Sequence, residues 1–245
     1  ADEVGLGKTI EAGLILAQQI HRQRAHRVLI LVPDTLAHQW LVEMQRRFHL
    51  AFSLLNRARL EGADIHEEFS DNPLAIAPLS LFEDDRICQD IVSQLDWDMV
   101  IIDEAHHLTG LGETRSEFGQ FIHDLSARSR GLLLLSATPE QAGLRNHFDR
   151  LQLIDPARFA DFDQFMEEHR QFAMWSTMIE ALEAGDDVAV PPGIDATADT
   201  DSKIEQMLDR YGTSRILYRN TRRGVTGFPT RHRYLYPLDN PRLYQ

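Results

Sequence analysis

The sequence predicts an α/β protein, a parallel sheet with helices on both faces, followed by a helical C-terminal appendage. Three observations predict it. Short, nearly uncharged apolar runs at Val28 to Val32, Leu74 to Ala77, Met99 to Ile102 and Leu132 to Leu135 read as strands buried on both faces. Stretches with helical apolar spacing separate them, the alternation that crossover connections require. A glycine-rich turn opens the first helix, and the third run ends in two adjacent carboxylates, which places both at the carboxyl rim where open α/β folds bind ligands.

The bulk composition is consistent with this. At 245 residues the chain can bury one main core, and 43% hydrophobic with 26% charged residues is ordinary for a soluble protein. No apolar run approaches the roughly 18 residues that a membrane span needs. The lone cysteine, Cys88, excludes an internal disulfide, fits a reducing compartment and reads as a packing residue. A formal charge of -13 argues against strong nucleic-acid binding by this piece alone, because phosphate contacts need clustered Lys and Arg. The chain opens on Ala1-Asp2-Glu3, within a residue of a phosphate-loop motif, so the strand that normally feeds such a loop is expected in a longer protein.

Taken in order, Gly5-Leu6-Gly7-Lys8-Thr9 is a turn that exposes backbone N–H groups to phosphate, with the positive end of a helix behind it. Lys8 would reach the β and γ phosphates and Thr9 would place its hydroxyl on Mg2+; the strict phosphate-loop pattern wants a glycine where Asp2 stands. The helix covers Ile10 to Ile20. After the first apolar run, Leu36, Trp40, Leu41, Met44 and Phe48 have helical spacing, with Asp34 or Thr35 as the cap; Trp40 lies in that stripe and reads as a core anchor. Ile87, Ile91, Val92 and Leu95 form another stripe.

The run Met99 to Ile102 ends in Asp103-Glu104. Asp103 would hold Mg2+ through water, and Glu104 would orient and deprotonate the attacking water. Adjacent His106 and His107 do not make a zinc site, since no thiol is near and no second His lies at helical ligand spacing. Ser136 lacks the flanking glycines of a hydrolase nucleophile, and with Thr138 it also fits a capped turn. From 156 to about 184 the pattern is a long, partly amphipathic helix or helix pair, with Phe159, Phe162, Phe165 and Met166 on its apolar side. Gly185 to Ser202, with five Asp and two adjacent prolines, reads as a loop. Arg215, Arg219, Arg222, Arg223, Arg231 and Arg233 make the C-terminal stretch locally basic, a solvated face or a brace. The domain reading is a main lobe at 1–155, a helical appendage with an acidic linker at 156–210, and a basic connector at 211–245.

Together these pieces resemble the helicase-like ATPases of superfamily two, and within them the Swi/Snf-type translocases. Asp2 to Thr9 is similar to that group's motif I, in which Asp commonly takes the first-glycine position. Asp103-Glu104-Ala105-His106 is similar to motif II, the DEAH box, and Ser136-Ala137-Thr138-Pro139 to motif III, which in the family couples hydrolysis to lobe movement. Val32-Pro33 with Gln39-Trp40, and Ala77-Pro78-Leu79-Ser80, resemble motifs Ia and Ib on the nucleic-acid-facing edge. Glu11-Ala12-Gly13, Gln39 to Met44, Tyr211 to Arg215, Tyr218 to Arg222 and Gly227-Phe228-Pro229 resemble the RNA-polymerase-associated ATPases of bacteria.

The resemblance implies a RecA-like fold, ATP and Mg2+ as ligands, and catalytic roles for Lys8, Asp103 and Glu104. It implies nucleotide contacts at Asp2, Gly5, Leu6, Gly7, Lys8 and Thr9, metal contacts at Thr9 and Asp103, and coupling through His106, Ser136, Ala137 and Thr138. It also implies RNA polymerase and DNA or RNA as partners, a role in transcription, and a location in the bacterial cytoplasm with the nucleoid. A second lobe would supply arginines to the γ phosphate. Two other readings stay open: a nucleotide-dependent docking module for RNA polymerase, and a Swi/Snf-type subunit of a phage-defence or restriction system.

Overall fold

In the computed structural model the structure describes residues 7–83, 85–112, 114–138, 143–183, 189–191, 193–211 and 217. Helix α1 (Lys8–His21) leads to β1 (Val28–Val32), and a 3-10 turn at Asp34–Leu36 precedes α2 (Ala37–Phe48). The short β2 (Ser53–Leu54), α3 (Arg57–Leu60) and α4 (Ile65–Asp71) follow, then β3 (Leu74–Pro78), α5 (Ser80–Glu83) and α6 (Arg86–Gln94). β4 (Met99–Ile102) ends in a 3-10 turn at Ala105–His107; α7 (Glu117–Arg128), β5 (Leu132–Leu134), α8 (Leu144–Ile154), α9 (Phe162–Glu183) and α10 (Thr200–Tyr211) complete the order.

Among the described residues the sheet has five strands in the order β2-β3-β1-β4-β5, and every pairing is parallel. Alternation along each strand separates two cores. Leu29, Leu31, Ala75, Ala77, Val100 and Ile102 face Phe69, Phe82, Val92, Phe121 and Ile122 from α4 to α7. Val28, Ile30, Val32, Ile76, Met99 and Ile101 face Ala12 and Leu16 of α1 and Trp40 and Met44 of α2. The sheet therefore carries helices on both faces, as expected. α1 and α2 approach closely at Gly13, where a Cβ would stand 2.1 Å from the Phe48 ring, which accounts for a glycine inside a helix.

Several sequence expectations are corrected in detail. The cap assigned to Asp34 or Thr35 is absent: both lie in the 3-10 turn, and α2 begins behind Leu36 with no side-chain cap. In α6 the Asp85 carboxylate accepts the Cys88 amide at 2.9 Å, and this start turns Cys88, Gln89 and Val92 inward while Ile87 is 68% exposed. Cys88 is fully buried, and its thiol is pushed up to about 12, first by burial and then by the Asp85 charge. The expected loop from Gly185 ends early, since α10 starts at Thr200 with Asp199 accepting the Ser202 amide at 2.9 Å. Phe159, Phe162, Phe165 and Met166 join Phe148 and Leu151 of α8 in a separate aromatic cluster. The arginines at 215 to 233 lie outside the described residues.

At the rim opposite the carboxyl ends, Asp98 joins β1 to β4. Its Oδ2 accepts the amides of His26 at 2.8 Å and Arg27 at 3.0 Å, and the Arg27 guanidinium donates to the carbonyls of Phe69 and Ser70 at the end of α4. Burial alone would raise the Asp98 carboxyl, but the two amides, with Arg130 at 3.2 Å, outweigh it and hold the group below its ordinary value. The stabilisation is therefore present above the unfolded value of about 4 and is lost as pH falls through the lower folded value. Asp98→Ala is expected to lower unfolding free energy by about 1–3 kcal/mol at neutral pH. In urea titrations the gap between the two proteins should close on acidification.

Candidate active site

Gly7 opens α1 at φ 95°, ψ 30°, in the left-handed region that glycine enters without a Cβ penalty. Its carbonyl accepts the amides of Ile10 at 2.8 Å and Glu11 at 3.0 Å, so the turn passes directly into the helix with Lys8 and Thr9 in the first turn. The first amides of a helix have no carbonyl within it to bond, and its N-terminus carries partial positive charge, so this end suits an anion. Asp2, Gly5 and Leu6 lie outside the described residues.

β4 delivers the acidic pair to the same rim. The Asp103 amide donates to the Leu31 carbonyl at 2.8 Å, which extends the ladder past the strand and fixes where the side chain leaves it. That side chain belongs to a residue only 4% exposed, and each carboxylate oxygen accepts one bond: Oδ1 from the Glu104 amide and Oδ2 from the Trp40 indole N–H, both at 2.8 Å. Glu104 adopts φ 49°, ψ 43°, uncommon for a residue with a Cβ, and starts the 3-10 turn. Gly7, Lys8, Thr9, Ile10, Leu36, Gln39, Glu43, Asp103 and Glu104 line one cleft of about 290 Å³.

Glu104 Oε2 lies 3.1 Å from His106 Nδ1, within ion-pair distance, yet it is buried without a hydrogen-bond partner among the described residues. The two groups are close but out of line for a hydrogen bond. Burial first, then the charges of His107, Arg150 and Lys8, hold His106 below its ordinary value against the opposing Glu104. The ring is therefore neutral near pH 7, and the contact is not a salt bridge. Ser136, 5% exposed beyond β5, accepts the Thr138 amide at 3.2 Å and stands 3.3 Å from the same His106 nitrogen. Thus His106 stands beside Glu104 and Ser136 beside His106, with Ala137 and Thr138 following in the same turn, while Pro139 lies outside the described residues.

The geometry assembles Gly7, Lys8, Thr9, Asp103 and Glu104 around one opening. An anion could rest on the helix end, a hard cation suits the oxygen donors of Thr9 and Asp103, and the orphaned Glu104 oxygen can accept a proton or a water. The structure adds residues that the sequence did not single out for this site. Gln39 and Glu43 line the cleft from α2, and Trp40 contacts Asp103 from the core stripe; a buried indole N–H needs an acceptor, which was the available signal. Arg150, 4% exposed in α8, lies close enough to influence His106, with Nη1 3.5 Å from the Leu108 carbonyl.

Residues 1–236 match the family described as the SNF2-related domain. The chain belongs to that family. Its sequence is 41% identical over 273 residues to the RNA polymerase-associated protein RapA of Photobacterium profundum. It is 41% identical over 271 residues to the protein of the same name from Vibrio parahaemolyticus. Each match covers 100% of this chain and 28% of the relative, so the chain spans little more than a quarter of their length. Among solved structures, the Sulfolobus solfataricus SWI2/SNF2 ATPase core in complex with dsDNA superimposes with TM-score 0.58 at 17% identity, covering 90% of this chain and 39% of that one. The SWI2/SNF2 ATPase core domain of the same organism gives 0.52 at 17% identity, covering 69% and 32%. At that identity the likeness is one of fold, and this SNF2-related chain is a Swi/Snf-type, helicase-like ATPase lobe with the RecA-like sheet of its family.

The electrostatics of this lobe can be checked directly. A histidine NMR titration should give His106 a midpoint below the ordinary value of about 6.5. Glu104→Gln should move the midpoint further down, because it removes the charge that opposes the shift. The stabilisation associated with the neutral ring is intact above the ordinary value and is lost as pH falls through the folded one. A midpoint at or above the ordinary value would contradict the burial described.

Proposed function

We propose that this chain is the first ATP-binding lobe of a nucleic-acid translocase that works with RNA polymerase in transcription. The observation that carries the reading is the single cleft in which Lys8 and Thr9, at a helix N-terminus, meet Asp103 and Glu104 at the end of a buried strand. The curated relatives named for RNA polymerase and the DNA-bound structural neighbour support the choice of partners.

In this reading the Gly7 turn and the first amides of α1 hold the β and γ phosphates of ATP, and Lys8 adds a cation. The family resemblance assigns nucleotide contacts to Asp2, Gly5 and Leu6 as well. Thr9 and Asp103 are the residues that would hold Mg2+, Asp103 through water, and the hard oxygen donors, with the Asp103 carboxylate buried at the strand end, fit that ion. When bound, Mg2+ neutralises charge that develops on the phosphates. Glu104 takes a proton from water as the water oxygen bonds to the γ phosphorus; the bond from that phosphorus to the bridging oxygen breaks, and ADP leaves with the electron pair. His106, Ser136, Ala137 and Thr138 couple hydrolysis to movement of the lobes. Residues 156–210 form an appendage, and 211–245 connect to a second lobe whose arginines complete catalysis.

The test uses the full-length protein. Lys8→Ala should abolish ATP binding in calorimetric titrations, because it removes the side-chain cation from the triphosphate. Glu104→Gln should keep binding while phosphate release falls by about 100-fold or more, since the amide cannot take the proton. Release by the unaltered protein, measured with and without duplex DNA and with and without RNA polymerase, should rise with those partners. Unchanged binding by Lys8→Ala would remove the nucleotide assignment.

A further inference from the structure

We propose that Trp40 is the positioning residue that sets the Asp103 carboxylate for Mg2+, an inference that rests on the cleft being a nucleotide site. The contact joins residues 63 positions apart, one on α2 and the other at the end of β4. Trp40 Nε1 donates to Asp103 Oδ2 at 2.8 Å, and the two residues are 1% and 4% exposed. With Oδ1 held by the Glu104 amide, each oxygen of the carboxylate has one fixed donor and keeps one lone pair for the cleft.

The chemistry of the indole suits this task. It has only two side-chain torsions, and its ring is fully buried in the core cluster that also contains Met44, Ile30 and Ile101, so the donor is rigid. It is also neutral and can only donate. A Lys or Arg in its place would hold the carboxylate equally well but would repel a divalent cation a few ångströms away. The indole orients the oxygen that holds the metal-bound water, does not compete for the metal, and does not change protonation with pH. Outer partners that orient the groups around a metal typically affect its affinity by about 10-fold to 100-fold.

A tryptophan that merely fills the core would give a different result on substitution. Trp40→Phe keeps the aromatic packing and deletes the N–H, leaving the buried Asp103 Oδ2 without that donor. In the full-length protein, two quantities are followed against magnesium concentration: binding of a fluorescent ADP analogue and ATP turnover. The half-maximal magnesium concentration should rise about 10-fold to 100-fold in both. Analogue affinity in excess EDTA should stay within about twofold, because the phosphate cradle is untouched. Excess magnesium should restore most of the turnover.

A purely structural loss would lower melting temperature and turnover alike at every magnesium concentration, and an unshifted magnesium dependence overturns the proposal. If Trp40→Phe does not fold, Trp40→Met makes the same deletion with a side chain that fills irregular gaps. Lys8→Ala separates the two levels of the argument. If it still binds the analogue, the nucleotide reading fails; if it does not, and Trp40→Phe titrates with magnesium like the unaltered protein, only the role of Trp40 is lost.

Discussion

The central strands of a parallel sheet with helices on both faces have no free surface for a polar group. Leu29 and Ile30, Val100 and Ile101, and Ala75 and Ile76 are all fully buried, whichever face they point to. A carboxylate there would cost several kcal/mol of desolvation. Charged chemistry can therefore enter only where strands stop, and the parallel arrangement makes them stop together. Asp103 stands one residue beyond β4 with its amide still in the ladder. Its depth is fixed by the sheet while its side chain has left the apolar layer.

The two rims of the sheet are used differently. At the opposite rim, Asp98, His26, Arg27 and the end of α4 are bound by fully paired polar contacts, and that rim holds the strands in register. At the carboxyl rim the pairing is incomplete: Glu104 has a left-handed backbone and an orphaned oxygen, and His106 is neutral. Unfavourable conformations persist only where their surroundings over-determine them. Here the fixed rim and the two cores provide that restraint, which concentrates the unsatisfied groups of β4 where a ligand can reach them.

The four apolar runs were legible because a strand buried on both faces has a composition that few other structures share, and their bounds agree with the sequence to within a residue. The short β2 was not, since Ser53–Leu54 is a two-residue edge strand with no apolar run. Helical spacing located α6 but misplaced its buried face, because Ile87 is apolar and the Asp85 cap, not hydrophobicity, sets the phase. At the site, residue types in order indicated Gly7, Lys8, Thr9, Asp103 and Glu104, and the structure gathers them. The bond from Trp40 to Asp103 was hidden for a simpler reason. Sequence periodicity says which way a side chain points from its own helix, and it is silent about which atom of another element lies there.

The buried thiol of Cys88 has a practical side. It is the lone cysteine of this chain, fully enclosed, with its ionisation pushed up to about 12, so it presents almost no thiolate to alkylating reagents at neutral pH. A thiol placed at an exposed position of this lobe would outcompete it for a maleimide dye by orders of magnitude, with the native core left intact. The lobe is thus already suited to site-specific labelling, and its movements could be followed by fluorescence energy transfer while Cys88 keeps its place beneath the sheet.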